Sequence, residues 1–471
     1  MIFIISFFIL LLSAVIIVRK AKQSDLGLLN SNFSSLQSKY LQVYYLATFA
    51  DFLQGPYIYK LYSDYGFKDD DIAVLYIAGF VSSTVFGMIV GVIADSYGRK
   101  FLCASFGFFY SICCCTKLSP DFYILLFGRI CGGIATSILF TTFEAWYINE
   151  HINHYNLPVE WLNITFGKTS FYTGLLAIFA GVVSQFFAEF VNLGPTAPFL
   201  IAIPFLLLSS YIIMTNWNEH LYQPTSSKLN LLSPLKLIIL KDHTLLLLGL
   251  VQCSFEATMY SFIFSWTPII RSLNPPLGLV FSSFMLAFII GSKLYGLMIS
   301  KHKKSENILT FVSIISFIAL SIVFCLISFM VMSDSGRPHD LFLTKICFLC
   351  FIIYELCLGA YMPAIGYLKG RVVPEKYRTS VTNWFRVPTN IFTCVTLTLN
   401  NFNKKETEVI SNTETFNKFT HVYLLCSIFL IVSSLASYYF GKKYSKRFSQ
   451  SELFTDILNL TKDTGKDTLV I

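Results

Sequence analysis

Twelve apolar runs, each long enough to cross about 30 Å of hydrocarbon as a helix, recur at 40–62, 72–94, 101–118, 121–147, 162–189, 198–215, 243–268, 278–299, 307–331, 340–364, 380–399 and 419–440. A chain that crosses lipid this often must satisfy its backbone polar groups within each segment, so helices are the expected element and an all-α polytopic membrane protein the expected class. The rest of the composition agrees. Only 13% of the 471 residues are charged and 55% are hydrophobic, whereas soluble globular chains carry roughly 25% charged residues. An ordinary soluble enzyme is excluded.

Residues 1–18 form a further apolar run, followed at once by Arg19, Lys20 and Lys22. A cleaved signal peptide carries its cations before the apolar stretch and a small-residue site after it, so this run is expected to stay as an extra transmembrane helix. Residues 19–39 then read as a polar cytoplasmic linker. The polar stretch 216–242, with Pro224 and Pro234 inside it, divides the core six and six. This gives an N-terminal bundle over 40–215, a C-terminal bundle over 243–440 and a cytoplasmic tail over 441–471. With the 95–100 loop inside, about 22 Lys and Arg fall on the cytoplasmic side and about seven outside, which places the N-terminus outside and the C-terminus in the cytoplasm. The net charge of +8 is therefore a topology signal, and no nucleic-acid partner is expected.

The cysteines fall in apolar spans and read as small apolar residues. Cys347 and Cys350 lack a second pair, and His151 and His154 lack further ligands, so neither a metal nor a cofactor is assigned. No G-x-x-x-x-G-K-[ST] occurs, so coupling would come from gradients rather than ATP.

The stretch Gly87–Lys100, GMIVGVIADSYGRK, stops an apolar helix in a carboxylate, a turn glycine and two cations. Asp95 is expected to end the helix and hold Arg99 across a tight turn that Gly98 permits. The bland alternative is a membrane helix ending in positive residues on its cytoplasmic side. Gly91, Asp95, Gly98, Arg99 and Lys100 together resemble the G-x-x-x-D-x-x-G-R-[KR] loop of the major facilitator superfamily. A partial echo, YGLMISKHKK at 295–304, keeps the cations without the aspartate or the turn glycine, as a drifted internal repeat would. Glu150, closing EAWYINE, resembles the facilitator carboxylate that engages the latch arginine.

Ionisable side chains at mid-depth are costly and so are functional candidates. Asp51 shares a helical stripe with Tyr44, Thr48 and Gln54 or Gly55. Arg129 and Glu144 lie fifteen residues apart on one helix, nearly on one face, with Gly132, Gly133, Thr136 and Phe140 between them. Gln252, Glu256 and Tyr260 form an i, i+4, i+8 stripe. Glu355 sits mid-helix, and Arg386 lies in NWFRVP, where Pro388 frees backbone carbonyls. Lys168 and Lys293 are near enough to helix ends to snorkel. For each carboxylate and arginine the alternative is a structural ion pair between helices.

The segments ADFLQGPYIYKLY at 50–62, LLFGRICGG at 125–133, FEAWYINEH at 143–151, PLGLVFSSFM at 276–285 and NWFRVP at 383–388 resemble the eukaryotic molybdate-anion transporter family of that superfamily, from about residue 40 to about 440. The resemblance implies a major facilitator fold of two six-helix bundles and a plasma-membrane carrier taking up molybdate. It matches Asp51, Arg129, Glu144, Glu256, Glu355 and Arg386 as substrate-site positions. Local chemistry permits this substrate, since guanidinium pairs bidentately with oxyanions, and a coupling proton is a candidate partner. Two other readings stay open: a facilitator for another solute, such as an organic cation or a sugar, and a non-transporting nutrient sensor.

Overall fold

The computed structural model describes residues 2–20, 30–158, 161–218, 235–236, 238–239, 242–332, 338–373, 378–399 and 412–463. Among these it is helical with no strand. The helices are α1 (Ile2–Lys20), α2 (Ser31–Gln54), α3 (Ile58–Asp64), α4 (Asp69–Tyr97), α5 (Arg99–Thr116), α6 (Phe122–Asn149), α7 (Leu162–Gln185), α8 (Ala197–Asn216), α9 (His243–Ile270), α10 (Leu277–Ser300), α11 (Ser305–Met332), α12 (Pro338–Val372), α13 (Arg378–Leu399) and α14 (Asn412–Asp463). Nine of these (α4, α6 to α12 and α14) are long and apolar enough to cross a membrane. The long helices α2, α5 and α13 fall short of that apolarity because they carry polar and charged residues, among them Asp51, Arg99 with Lys100, and Arg386.

Two boundaries differ from the sequence expectation for physical reasons. Residues 31–39, expected as linker, are already helical. Asn30 is extended and its side chain accepts a hydrogen bond from the Phe33 amide at 3.1 Å, capping α2, and Phe33, Leu36, Tyr40 and Val43 recur at helical spacing and are all buried. The run 40–62, expected as one helix, is broken at Gly55–Pro56–Tyr57, since Pro56 has no amide proton to continue the ladder. The short α3 is therefore a separate piece. Most of the expected interdomain loop, and the end of the tail, lie outside the described residues.

In the first half α6 packs on α4 and α5, while α8 packs on α2 and α5 and α2 also packs on α7. In the second half α14 packs on α9 and α11, and α12 packs on α10 and α11. Two seams join the halves, α7 against α10 and α4 against α13. The extra helix α1 lies on the first seam, where Ala14 is buried with Ile178 of α7 and with Leu286, Ile289 and Ile290 of α10. Its other face leaves Ile4, Ile5, Phe8, Ile9 and Leu12 exposed, as a lipid-facing surface would.

Candidate substrate site

Arg129 leaves α6 toward α4. Its Nε donates to the Leu75 carbonyl at 3.1 Å, and its guanidinium lies over the Tyr76 ring at 4.9 Å. Gly79 makes the approach possible, because a Cβ there would sit 2.8 Å from Arg129 Nη2. Asp51 does not neutralise this cation: its carboxylate accepts the Tyr110 hydroxyl of α5. Among the described residues no carboxylate pairs with Arg129, so the charge is held by a carbonyl dipole and a ring face. Glu144, fifteen residues further along α6, lies near Tyr40 and Tyr44 of α2 instead and is exposed. The shared face expected for Arg129 and Glu144 does not make them neighbours, because they stand about four turns apart along the helix axis.

The second half holds a different kind of cluster. Gln252 Nε2 donates to Glu256 Oε2 at 3.2 Å, one turn apart on α9. The positive charges of Lys369, from the end of α12, and of Arg386, from α13, both act on Glu256, and Arg386 also lies beside Tyr260. The Tyr361 hydroxyl comes close to Glu256 without hydrogen-bond geometry, and it and Gln252 Oε1 are buried with no protein partner. Glu355 stands apart from this cluster. It is buried, its Oε2 has no hydrogen-bond partner in the protein, and it lies one turn before Gly359, where α12 crosses the α10 backbone at Phe288.

The two arginines flank one contact between the halves. On α4, Gly79 receives Arg129, and its neighbour Phe80 packs on Tyr260 with ring centroids 5.0 Å apart. One turn on, Thr84 accepts a hydrogen bond from Asn390, which is one turn beyond Arg386 on α13. Aromatic rings close the seam toward the end opposite Gly98: Phe264 meets Tyr59 at 5.8 Å and Tyr76 at 5.3 Å. There too the Gly278 amide donates to Gln185 Oε1 at 2.8 Å, and the Tyr57 hydroxyl donates to Gln185 and Glu189.

At the other end, α4 runs on to Tyr97, two residues past Asp95, and Gly98 at φ 95° makes the turn into α5. Asp95 is helical, and its side chain lies outside what the structure describes. Arg99 donates to the Ala145 carbonyl at 3.1 Å, which brings the latch cation to the last turns of α6, where Glu150 is buried.

The comparisons with known proteins agree on what this arrangement belongs to. Residues 3–351 match a family model described as sugar transporters with 12 TM. A molybdate-anion transporter of Takifugu rubripes is 37% identical over 78% of this chain and 80% of its own length. Those of Danio rerio, at 38% over 78% and 80%, and Xenopus tropicalis, at 39% over 77% and 78%, are similarly related. The chain belongs to this family of transporters in the major facilitator superfamily. It is thus a multi-pass membrane transporter and not an enzyme. Two solved facilitators, the nucleoside transporter NupG (14% identity, TM-score 0.58, covering 88% of this chain and 99% of that one) and a D-xylose-proton symporter (12%, 0.61, 87% and 96%), share the fold alone.

Several residues around these clusters were not singled out by sequence reasoning. Gly79 carries no signal in a single sequence, because its role appears only when Arg129 packs on it. Lys117 did leave a trace, a cation inside the apolar run 101–118, and it proves wholly buried. Tyr110 and Tyr361 were lost among 26 tyrosines.

Proposed function

We propose that this protein carries molybdate across the plasma membrane by alternating access, gripping the dianion between Arg129 and Arg386. The observation that carries the reading is that two guanidiniums from opposite halves flank the α4 contact at Gly79 and Phe80, and neither has a carboxylate at ion-pair distance among the described residues. A dianion entering a low-dielectric site loses strong hydration, which fixed nearby cations replace. One cation on each six-helix half lets the bound anion draw the halves together, which links binding to closure. The aromatic closure around Phe264, with Glu144 exposed, supports a form open toward the Gly98 end. In this reading the N-terminus is outside, the Gly98 loop and tail are cytoplasmic, and Glu256, between Lys369 and Arg386, carries the coupling proton. The relatives' printed names support molybdate, and the sugar-transporter description of the family model covers a broader set of solutes.

The test is uptake of radiolabelled molybdate into vesicles, with sulfate, sugars and organic cations as competitors. Saturable molybdate uptake displaced by oxyanions and not by sugars is expected. A protein that moves a sugar or an organic cation, and ignores molybdate, would overturn the reading. A protein that binds molybdate and moves none would be a sensor instead.

A further inference from the structure

Lys117, at the end of α5, has no solvent exposure at all. Its Nζ donates to the Tyr62 hydroxyl of α3 at 2.8 Å and lies 5.1 Å from the centre of the same ring, while its carbonyl accepts the Tyr65 hydroxyl. Among the described residues no carboxylate pairs with it. The Tyr62 oxygen also lies within electrostatic reach of Arg129. One half of the molecule therefore holds a fully buried lysine and a half-buried arginine around one tyrosine, and the nearby acid, Asp51, is already taken by Tyr110. Burying an ion without a counter-charge costs roughly several kcal/mol after relaxation. A tyrosine hydroxyl uses one of the three donors of the ammonium and supplies no charge.

The geometry points to a second oxyanion-binding position formed by Lys117 and Arg129 within the first half, with the Tyr62 hydroxyl occupying the place at Lys117 that an oxyanion takes. Tyr62 is suited to yield that place. It lies on α3, which the Gly55–Pro56–Tyr57 break separates from α2, and Tyr59 of α3 packs on Phe264 of the other half. In this inference, opening the seam at this end frees Tyr59 from Phe264, and the released α3 turns enough to take the Tyr62 hydroxyl off Lys117. The position would then receive a tetrahedral dianion arriving from the α3 end and pass it inward to Arg129, which both positions share. This inference rests on the oxyanion reading above and adds a residue and a site to it. The structural alternative is that Lys117 only caps the α5 carbonyl end and pins α3.

The test is equilibrium binding of radiolabelled molybdate to the purified full-length protein, alongside thermal stability, for Lys117→Met, Lys117→Arg, Tyr62→Phe and Arg386→Gln. Lys117→Met should weaken molybdate binding about tenfold, the size of one lost charge-assisted contact, and Lys117→Arg should keep it within about threefold. Tyr62→Phe removes the competing hydroxyl and should tighten binding about two- to threefold. It also decides the matter if Lys117→Met fails to fold. Unchanged affinity in Tyr62→Phe with a lowered melting temperature would mean a structural pin and overturn the inference. So would wild-type affinity in a folded Lys117→Met. If Arg386→Gln loses binding while the Lys117 and Tyr62 variants do not, the two-arginine site stands and this second position falls. If the wild type binds no molybdate, both fall.

Discussion

Arg129 and Arg386 sit on opposite sides of the same contact, yet their surroundings differ in kind. Arg129 is seated on a backbone carbonyl, a ring face and a glycine, none of which can change charge. Arg386 belongs to a set in which a carboxylate, Glu256, lies under the influence of two cations and a neutral amide. The first half thus presents a fixed positive charge, and the second presents one whose balance depends on the protonation of Glu256. In the proposed carriage of molybdate, the constant charge attracts the anion, and the re-settable one lets a proton change that attraction between the loaded and the empty carrier.

Removing the fixed seat should have the largest effect. Arg129→Lys keeps a charge but loses the planar fork that spans the Leu75 carbonyl and the Tyr76 ring, and we expect molybdate uptake to fall about 30-fold or more at normal surface expression. Arg386→Lys should cost about tenfold, because Lys369 remains beside Glu256. Equal losses in the two variants would remove the asymmetry. Gly79→Ala tests the seat without touching a charge: its Cβ would meet Arg129 Nη2 at 2.8 Å, and a rise in KM of about fivefold is expected.

The re-settable side is tested through Glu256→Gln. This variant keeps the shape and removes the titration, so accumulation driven by an imposed pH gradient should be lost while exchange of labelled for unlabelled molybdate persists. Wild-type uptake indifferent to the gradient would remove the proton from the scheme. The smallest effect on affinity should come from the latch, which lies at the Gly98 end of α4, its Asp95 sixteen residues beyond the Gly79 seat of Arg129. Asp95→Asn should slow transport several-fold and leave the molybdate KM within about threefold, and an affinity loss like that of Arg129→Lys would contradict this.

Much of the fold was legible because hydropathy reports directly on crossing the membrane: the apolar runs became helical, the 40–62 run in two pieces, and α2, α5 and α13 fell short on apolarity because of their polar and charged residues. Boundaries were less legible. The start of α2 is decided by the Asn30 cap and by Phe33 and Leu36 finding neighbours, and the α2–α3 break by Pro56 inside an otherwise apolar run. The ionisable candidates were legible singly, since charge in an apolar run is conspicuous, but their grouping was not. Arg129 and Glu144 share a face and are still separated along the helix, while Glu256 on α9 meets Lys369 and Arg386, which lie more than a hundred residues later on α12 and α13. Packing of this kind leaves no trace in the spacing of one sequence.

The most direct measurement of the two-arginine grip is a double-mutant cycle on molybdate affinity, using purified wild type, Arg129→Lys, Arg386→Lys and the double variant. If one anion bridges both halves, losing either arm spoils the geometry of the other. The double variant should then lose less than the sum of the singles, with a coupling of about 1 kcal/mol or more. Strictly additive losses, or wild-type affinity in either single variant, would contradict a shared grip.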